Sequence, residues 1–292
     1  MAQTRIYAST TEIEAKDLLL SIDEHFSEQA LPISVYEKPD HSGGWEISVY
    51  CDEVEAEQLI STLASLSVTS KSRLSFAKEA VPNTDWVEAT LKSLNPVRAG
   101  RFIVHGSHDK DVPAQHETPI LVDAGLAFGT GHHGTTAGCL EMLDCELKRH
   151  HFYNALDLGS GSGVLAIAVA KRTKAYVLAS DIDPIATQTA KANARQNGVQ
   201  QKIECITSDG FSHRRFAEQA PFDLVIANIL SKPLQQLAKD IAHHTMGNGL
   251  VILSGLLPHQ RTAILATFRI QGLSHLRSHI RDGWLTLVLT KG

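Results

Sequence analysis

Cysteine is scarce in this sequence, with four residues in 292 (Cys51, Cys139, Cys145 and Cys205) and no C-x-x-C pair among them. That spacing excludes a disulfide-stapled scaffold and reads as free thiols in a reducing compartment. Long apolar runs are missing too. No stretch approaches the ~20 apolar residues that a membrane span needs, and the opening MAQTRIYAST lacks the charged start and apolar run of a signal peptide. Nor is positive charge in excess: 27 Lys and Arg against 32 Asp and Glu give a net charge of -5. This leaves no electrostatic footprint for nucleic acid and suits a basic protein as partner. The expectation is a soluble, cytoplasmic protein that needs neither a membrane nor direct nucleic-acid contact. Histidine, by contrast, is plentiful at 15, with doublets at His132-His133, His150-His151 and His243-His244. Adjacent histidines point apart on a helix or strand, and none of these doublets gives the i, i+4 spacing of a zinc-binding helix. Solvated or capping histidines are expected, and no metal site.

With 43% hydrophobic residues, the chain can build one sizeable core and a smaller second one. The first eighty residues read as strand, helix, strand, strand, helix, strand. Residues 5–9 are extended, and Thr10 or Thr11 can cap a helix on which Ile13, Leu18, Leu19, Ile22 and Phe26 recur at helical spacing. Residues 33–37 and 45–51 alternate as two strands around the turn-forming His41-Ser42-Gly43-Gly44. Asp52 caps a second helix through Leu66, and residues 74–77 close the set. That order predicts a small ferredoxin-like α+β domain over 1–80. A linker with a short helix at 85–94, ended by Asn95-Pro96, spans 81–100.

The remaining residues, 101–292, open with a polar, His-rich segment as far as Pro119, then an extended Ile120-Leu121-Val122. From Asn154 onward, strands at 154–158, 176–181, 203–207, 224–229 and 249–254 alternate with amphipathic helices. Such alternation means a parallel sheet covered on both faces. The end departs from it, because residues 273–280 and 284–290 flank Arg281-Asp282-Gly283 as a hairpin. A mostly parallel seven-stranded sheet ending in an antiparallel hairpin is the Rossmann-like layout of class I methyltransferases, whereas nicotinamide dehydrogenases continue in parallel.

Asp157-Leu158-Gly159-Ser160-Gly161-Ser162-Gly163 falls where the first strand of this sheet turns into a helix. Glycines there let the backbone approach a ligand at the carboxyl end of the strand. A dinucleotide fingerprint from Gly159 would need a glycine where Val164 stands. The pattern is instead DxGxGxG, with an acid ahead of the first glycine, which suits the cationic sulfonium and amino-acid head of S-adenosylmethionine. Asp181 ends the second strand about 20 residues further on, where a carboxylate accepts from both ribose hydroxyls. Asp183-Pro184 reads as the cap of the next helix, and Asp209, after the third strand, falls where such folds meet adenine. The run 164–169 reads as core.

The fourth strand ends Asn228-Ile229-Leu230-Ser231-Lys232-Pro233. Asn228 offers a carbonyl that can hold an incoming amine, or it organises the turn while Ser231 caps the next helix. An Asn-Pro-Pro-Tyr here would bracket a planar amide by stacking; Ile229-Leu230-Ser231 cannot, which points to an aliphatic amine. Ahead of the sheet, GLAFGTGHHGTT (125–136) is too glycine-rich for a strand or a helix interior. It reads as a lid or ligand loop, or as a plain hinge, with Thr135 or Thr136 capping a helix through Leu147.

Taken together, GLAFGTG with H-x-TT, DxGxGSG, DIDP, NIL-x-x-PL and SGLL resemble, in order, the PrmA family, which methylates the stalk-base protein of the large ribosomal subunit (ribosomal protein eleven). The likeness is close over 123–257 and one of layout only in the front domain. It implies that Thr136, Gly159, Asp181 and Asn228 contact S-adenosylmethionine; the glycine turn adds Gly161, and its place at the strand end makes Asn228 the expected catalytic residue. It implies further that the front domain docks the substrate and swings on the linker, and that lysine ε-amines, an N-terminal α-amine or both receive methyl groups, releasing S-adenosylhomocysteine. His132-His133-Gly134 replaces the family's Thr-His-Pro, and Ser160 its cysteine. Two alternatives are a lysine methyltransferase of the electron-transfer flavoprotein β subunit, which shares the core without this front domain, and a non-catalytic regulator that binds the cofactor.

Overall fold

A computed structural model describes residues 3–26, 33–37, 44–69, 74–81, 96–107, 114–122 and 134–292. The chain divides into two units, Met1–Trp86 and Val87–Gly292. The turn expected at 41–43, the linker helix at 85–94 and the glycine-rich loop through His132 and His133 lie outside the described residues.

The first unit runs β1 (Gln3–Thr10), α1 (Glu12–His25), β2 (Ile33–Glu37), β3 (Trp45–Asp52), α2 (Ala56–Thr69) and β4 (Ala77–Val81). Its sheet has the order β2-β3-β1-β4 with every neighbour antiparallel, the split arrangement that the element order predicts. Thr11 caps α1 in a capping box with Glu14. Leu18 and Ile22 from α1 and Leu63 from α2 bury against Ile6, Ile47 and Val49. Two expectations need correction. Ile13 is exposed, because Ala15, Leu18 and Ile22 make the inward stripe of α1 without it. The fourth strand begins where it was expected to end: Leu74 and Phe76 pack on the core as the run-in, while the edge strand itself, AKEAV, pairs with β1 through its backbone. A buried ion pair crosses this sheet, Arg5 to Glu46, with Arg5 also donating to Ser48 at 3.0 Å and to Glu79 at 2.6 Å.

The second unit contains β5 (Val97–Ala99), β6 (Phe102–His105), β7 (Thr118–Leu121), α3 (Gly134–Glu146), β8 (Asn154–Leu158), α4 (Val164–Arg172), β9 (Tyr176–Asp181) and α5 (Pro184–Gln196). It continues with β10 (Ile203–Thr207), α6 (Arg215–Gln219), β11 (Phe222–Asn228), α7 (Ser231–His244), β12 (Thr245–Leu256), α8 (Arg261–Ile270), β13 (Leu273–Arg281) and β14 (Trp284–Lys291). Seven strands form one sheet in the order β10-β9-β8-β11-β12-β14-β13. The first five run parallel, and β14 is antiparallel to both β12 and β13, the class I methyltransferase layout. Strand alternation splits the core in two. Ala155, Ile226 and Ile252 face α3, α4 and the small β5-β6-β7 sheet; Leu156, Val225 and Leu253 face α7 and α8. The terminal hairpin closes through Asp282 and Gly283, both at positive φ (49° and 81°), as a two-residue turn between paired Arg281 and Trp284 requires.

The segment expected to be polar, 101–119, is corrected in part. Phe102, Ile103 and Val104 are fully buried in β6, which pairs in parallel with β7. Chain order steps away from β8 in opposite directions, to β9 on one side and β11 on the other, so the carboxyl ends of β8 and β11 flank a crevice where open α/β sheets bind ligands.

Candidate functional site

At that switch point β8 gives way to the glycine turn. Gly159 and Ser160 both donate to the Ser180 carbonyl, at 2.8 and 2.9 Å, tying the loop to the end of β9. Gly159 and Gly163 hold φ of +72° and +82°, in the left-handed region that side chains resist. A Cβ on Gly159 would also collide with the Ile229 side chain, and one on Gly163 would press on the Ala190 methyl. At these two glycines the loop is thus bare backbone, wedged between the end of β11 and α5. Its amides are consumed internally: Gly161 N–H donates to Asp181 Oδ2 at 2.8 Å and Gly163 N–H to the Ser160 carbonyl at 2.8 Å. A pyrophosphate would need such groups free, so the geometry agrees with Val164 in disfavouring a dinucleotide.

Asp181 is fixed by two backbone donors, Gly161 to Oδ2 and Asp183 to Oδ1 at 3.0 Å. Each carboxylate oxygen keeps a further lone pair, enough for a ribose diol. Asp183 is engaged elsewhere: as expected it caps α5, accepting from Ile185 N–H at 2.8 Å with Pro184 in the first turn. Asp209 is exposed just beyond β10, and the Ser208 N–H before it donates to the Asp181 carbonyl at 2.9 Å, so main chain alone links it to the others.

Asp157 lies beneath the loop, 1% exposed. Its Oδ2 accepts from Ala166 N–H at 2.9 Å in the first turn of α4, while its Oδ1 is buried with no hydrogen-bond partner. Burial pushes this carboxyl up to about 7, the Ala166 bond opposes that, and the nearby Asp181 adds to it. A buried acceptor awaiting a donor, a loop kept bare at its glycines and a ribose-type carboxylate together fit S-adenosylmethionine, which carries an ammonium on its zwitterionic head and a cationic sulfur.

Asn228, at the carboxyl end of β11, donates from Nδ2 to Thr135 Oγ1 and Thr136 Oγ1, each at 3.3 Å. Both amide hydrogens are thereby directed at α3, and Oδ1 is left as acceptor. The two threonines do not cap that helix as expected. The helix starts one residue earlier, at Gly134, so they sit in its first turn with their hydroxyls toward Asn228. Ser231 likewise occupies the first turn of α7, not its cap; Leu230 precedes the helix and Ser231 Oγ accepts from Gln235 at 3.3 Å. The structure therefore joins Gly159, Gly161 and Asp181 in one hydrogen-bonded loop and Thr136 with Asn228 in a second cluster, bridged where Ile229 meets Gly159.

The sequence offers Thr135 only as a cap, and it does not show Ile229 as the wall against Gly159 or Ser254 as a partner of Thr135. Ser254 stands opposite Asn228 on β12 and donates to the Thr135 carbonyl at 3.2 Å. The SGLL segment was visible as a motif, but its chemistry was not.

Residues 3–292 match the model of the family described as ribosomal protein L11 methyltransferase (PrmA). Among similar proteins, the ribosomal protein L11 methyltransferase of Allorhizobium ampelinum is 45% identical over 289 residues, covering 99% of this chain and all of that one. That of Mesorhizobium japonicum is 46% identical over 293 residues, covering 99% of each chain. Among solved structures, the ribosomal protein L11 methylase of Lactobacillus delbrueckii subsp. bulgaricus superposes with a TM-score of 0.61 at 28% identity, covering 68% of this chain and 100% of that one.

Proposed function

From the premise that the chain belongs to the ribosomal protein L11 methyltransferase (PrmA) family, we propose that Asn228 is its catalytic residue and holds the acceptor amine. The protein is an enzyme that methylates ribosomal protein L11 with S-adenosylmethionine as donor. The bound donor supplies a methyl group on a positively charged sulfur, ready for displacement. In our reading Asp181 takes the ribose hydroxyls, Gly159, Gly161 and Thr136 border the donor, and Asp209 lies toward adenine. The acceptors are lysine ε-amines, the N-terminal α-amine or both.

One observation carries the assignment of Asn228. Its amide hydrogens are both committed to Thr135 and Thr136, which leaves the carbonyl to accept an N–H from an amine and aim the lone pair. Positioning of this kind supplies much of the barrier reduction in a displacement. The amine must be neutral, and an ammonium near pKa 10.4 loses its proton more readily in a desolvated pocket beside a cation. We therefore assign no dedicated base.

We further propose that residues 1–80 recognise the substrate and that 81–100, whose strand β5 (Val97–Ala99) already pairs with β6 of the second unit, lead to the catalytic residues 101–292. Recognition of L11, free or within the large subunit, needs no direct nucleic-acid contact, a reading supported by the net charge of -5. A cytoplasmic location accords with four cysteines that are all free thiols. Among the described residues no helix is long and apolar enough to cross a membrane.

The test is a kinetic split. Asn228→Ala should lower kcat on L11 by about 100-fold with a smaller change in donor affinity, whereas Asp181→Ala should weaken the donor first. Unchanged turnover in Asn228→Ala would remove its catalytic role.

A further inference from the structure

Asn228 can orient an amine only if its own amide is held, and the groups that hold it are mounted on the first turn of α3. That turn has its own anchor. Ser254, on β12 directly beside Asn228, is fully buried and donates from Oγ to the Thr135 carbonyl at 3.2 Å. Behind it, Ser254 Oγ pairs with Thr286 Oγ1 of β14 at 3.1 Å, and Thr286 is also buried, at 1% exposure. Buried hydroxyls are costly unless paired, and these two are paired with each other and with the backbone of α3.

The backbone is shaped to bring them together. Between Leu253 and Leu256 the β12–β14 pairing slips by one residue, a bulge that contains Ser254 and Gly255. Gly255 takes φ of +79°, and a side chain there would collide with the Ile229 backbone. Bulges of this kind re-aim side chains beside active sites. On the other side, α3 carries Gly138 where it passes Thr286; a Cβ there would stand 2.6 Å from Thr286 Oγ1. The missing side chain lets helix and strand approach closely enough for the hydroxyl chain to close.

We infer that Ser254, backed by Thr286, is a positioning residue for methyl transfer: through Thr135 it sets the rotation of the Asn228 amide and so the direction of the Asn228 carbonyl. The inference rests on the catalytic assignment of Asn228 made above. Neither hydroxyl touches the donor or the acceptor in this scheme, so their loss acts on kcat while donor binding stays in place.

The experiment compares Ser254→Ala, Thr286→Val, Thr286→Ser and Asn228→Ala in the full chain. It measures kcat and KM on L11, the S-adenosylmethionine dissociation constant and thermal unfolding. Ser254→Ala should lower kcat by about 10-fold with donor affinity within about 2-fold, and Thr286→Val should lower it less. Thr286→Ser, which keeps the hydroxyl, should restore wild-type turnover. Placed in the Asn228→Ala background, Ser254→Ala should cost nothing further, since there is no amide left to orient. If Asn228→Ala lowers turnover but Ser254→Ala and Thr286→Val do not, the positioning role is overturned and the catalytic assignment stands. If Asn228→Ala itself leaves turnover unchanged, the catalytic assignment fails and this inference with it. An equal loss from Ser254→Ala with and without Asn228, or a loss that tracks only the fall in unfolding temperature, would make the hydroxyl pair a packing feature and overturn the inference.

Discussion

Replacing Asp157 by Asn probes the site where stability and binding pull in opposite directions. The substitution keeps an oxygen to accept from Ala166 N–H, which Asp157 does at 2.9 Å, and removes a carboxyl that is 1% exposed with one oxygen unpartnered. In the folded protein that carboxyl titrates at about 7, against 3.8 for an unperturbed Asp. The native state therefore holds the proton more tightly than the unfolded chain. Stability from this group is greatest below pH ~4, falls as pH rises toward ~7, and is flat above. At 1.36 kcal/mol per unit the ionised form costs up to ~4 kcal/mol above neutrality, of which roughly 3 kcal/mol is lost between pH 5 and 8. Asn does not titrate. In urea unfolding of the cofactor-free full chain at a series of pH values, the advantage of Asp157→Asn over wild type should therefore widen by roughly 3 kcal/mol from pH 5 to 8. The same variant should bind S-adenosylmethionine more weakly, because the buried acceptor loses its charge. A stability difference that is constant with pH, or that narrows as pH rises, would refute the reasoning.

Three further outcomes follow from the same geometry. Asp181→Ala should raise the donor dissociation constant by at least ~10-fold, the scale of lost hydrogen bonds to a carboxylate, with turnover at saturating donor changed less; equilibrium binding and steady-state kinetics check both. Gly159→Ala meets a φ of +72° and the Ile229 side chain, so it should destabilise by more than ~1 kcal/mol and abolish donor binding, read by thermal unfolding with and without donor. Arg5→Met removes the guanidinium that pairs with Glu46 and donates to Ser48 and should destabilise the first unit by about 1–3 kcal/mol; hydrogen exchange should rise in the first unit, while donor affinity, built in the second, stays unchanged.

The parts of this fold that were legible in the sequence are those encoded locally. Strands β8, β9 and β10 stand where five or six apolar-rich residues break into turn chemistry. The Asp183-Pro184 cap and the Asp282-Gly283 turn use residue types with few other conformational homes. The glycine turn and Asp181 could be paired because a strand–helix–strand unit fixes their spacing. Elsewhere the signal was ambiguous or absent. In edge strand β4 residues 77–80 are all exposed and so show no inward alternation, and the apolar run-in at Leu74 and Phe76 stands out in its place. The Phe102-Ile103-Val104 triple was masked by polar residues on both sides, although it alone should have marked a buried strand. Thr135, Thr136 and Ser231 have the chemistry of caps, yet their helices already run from Gly134 and from Ser231 itself, which leaves all three inside. The link from Ser254 to Thr135 spans 119 residues and that from Ser254 to Thr286 spans 32; no local pattern carries such a contact.

The most direct measurement offers the purified protein labelled S-adenosylmethionine together with L11 in unmethylated form, both as free protein and within large subunits, with a whole lysate alongside. The account predicts label on L11, released by hydrolysis as methylated lysine or methylated N-terminal residue, and almost none with Asn228→Ala. Tight donor binding with no label on L11 in either form would contradict it.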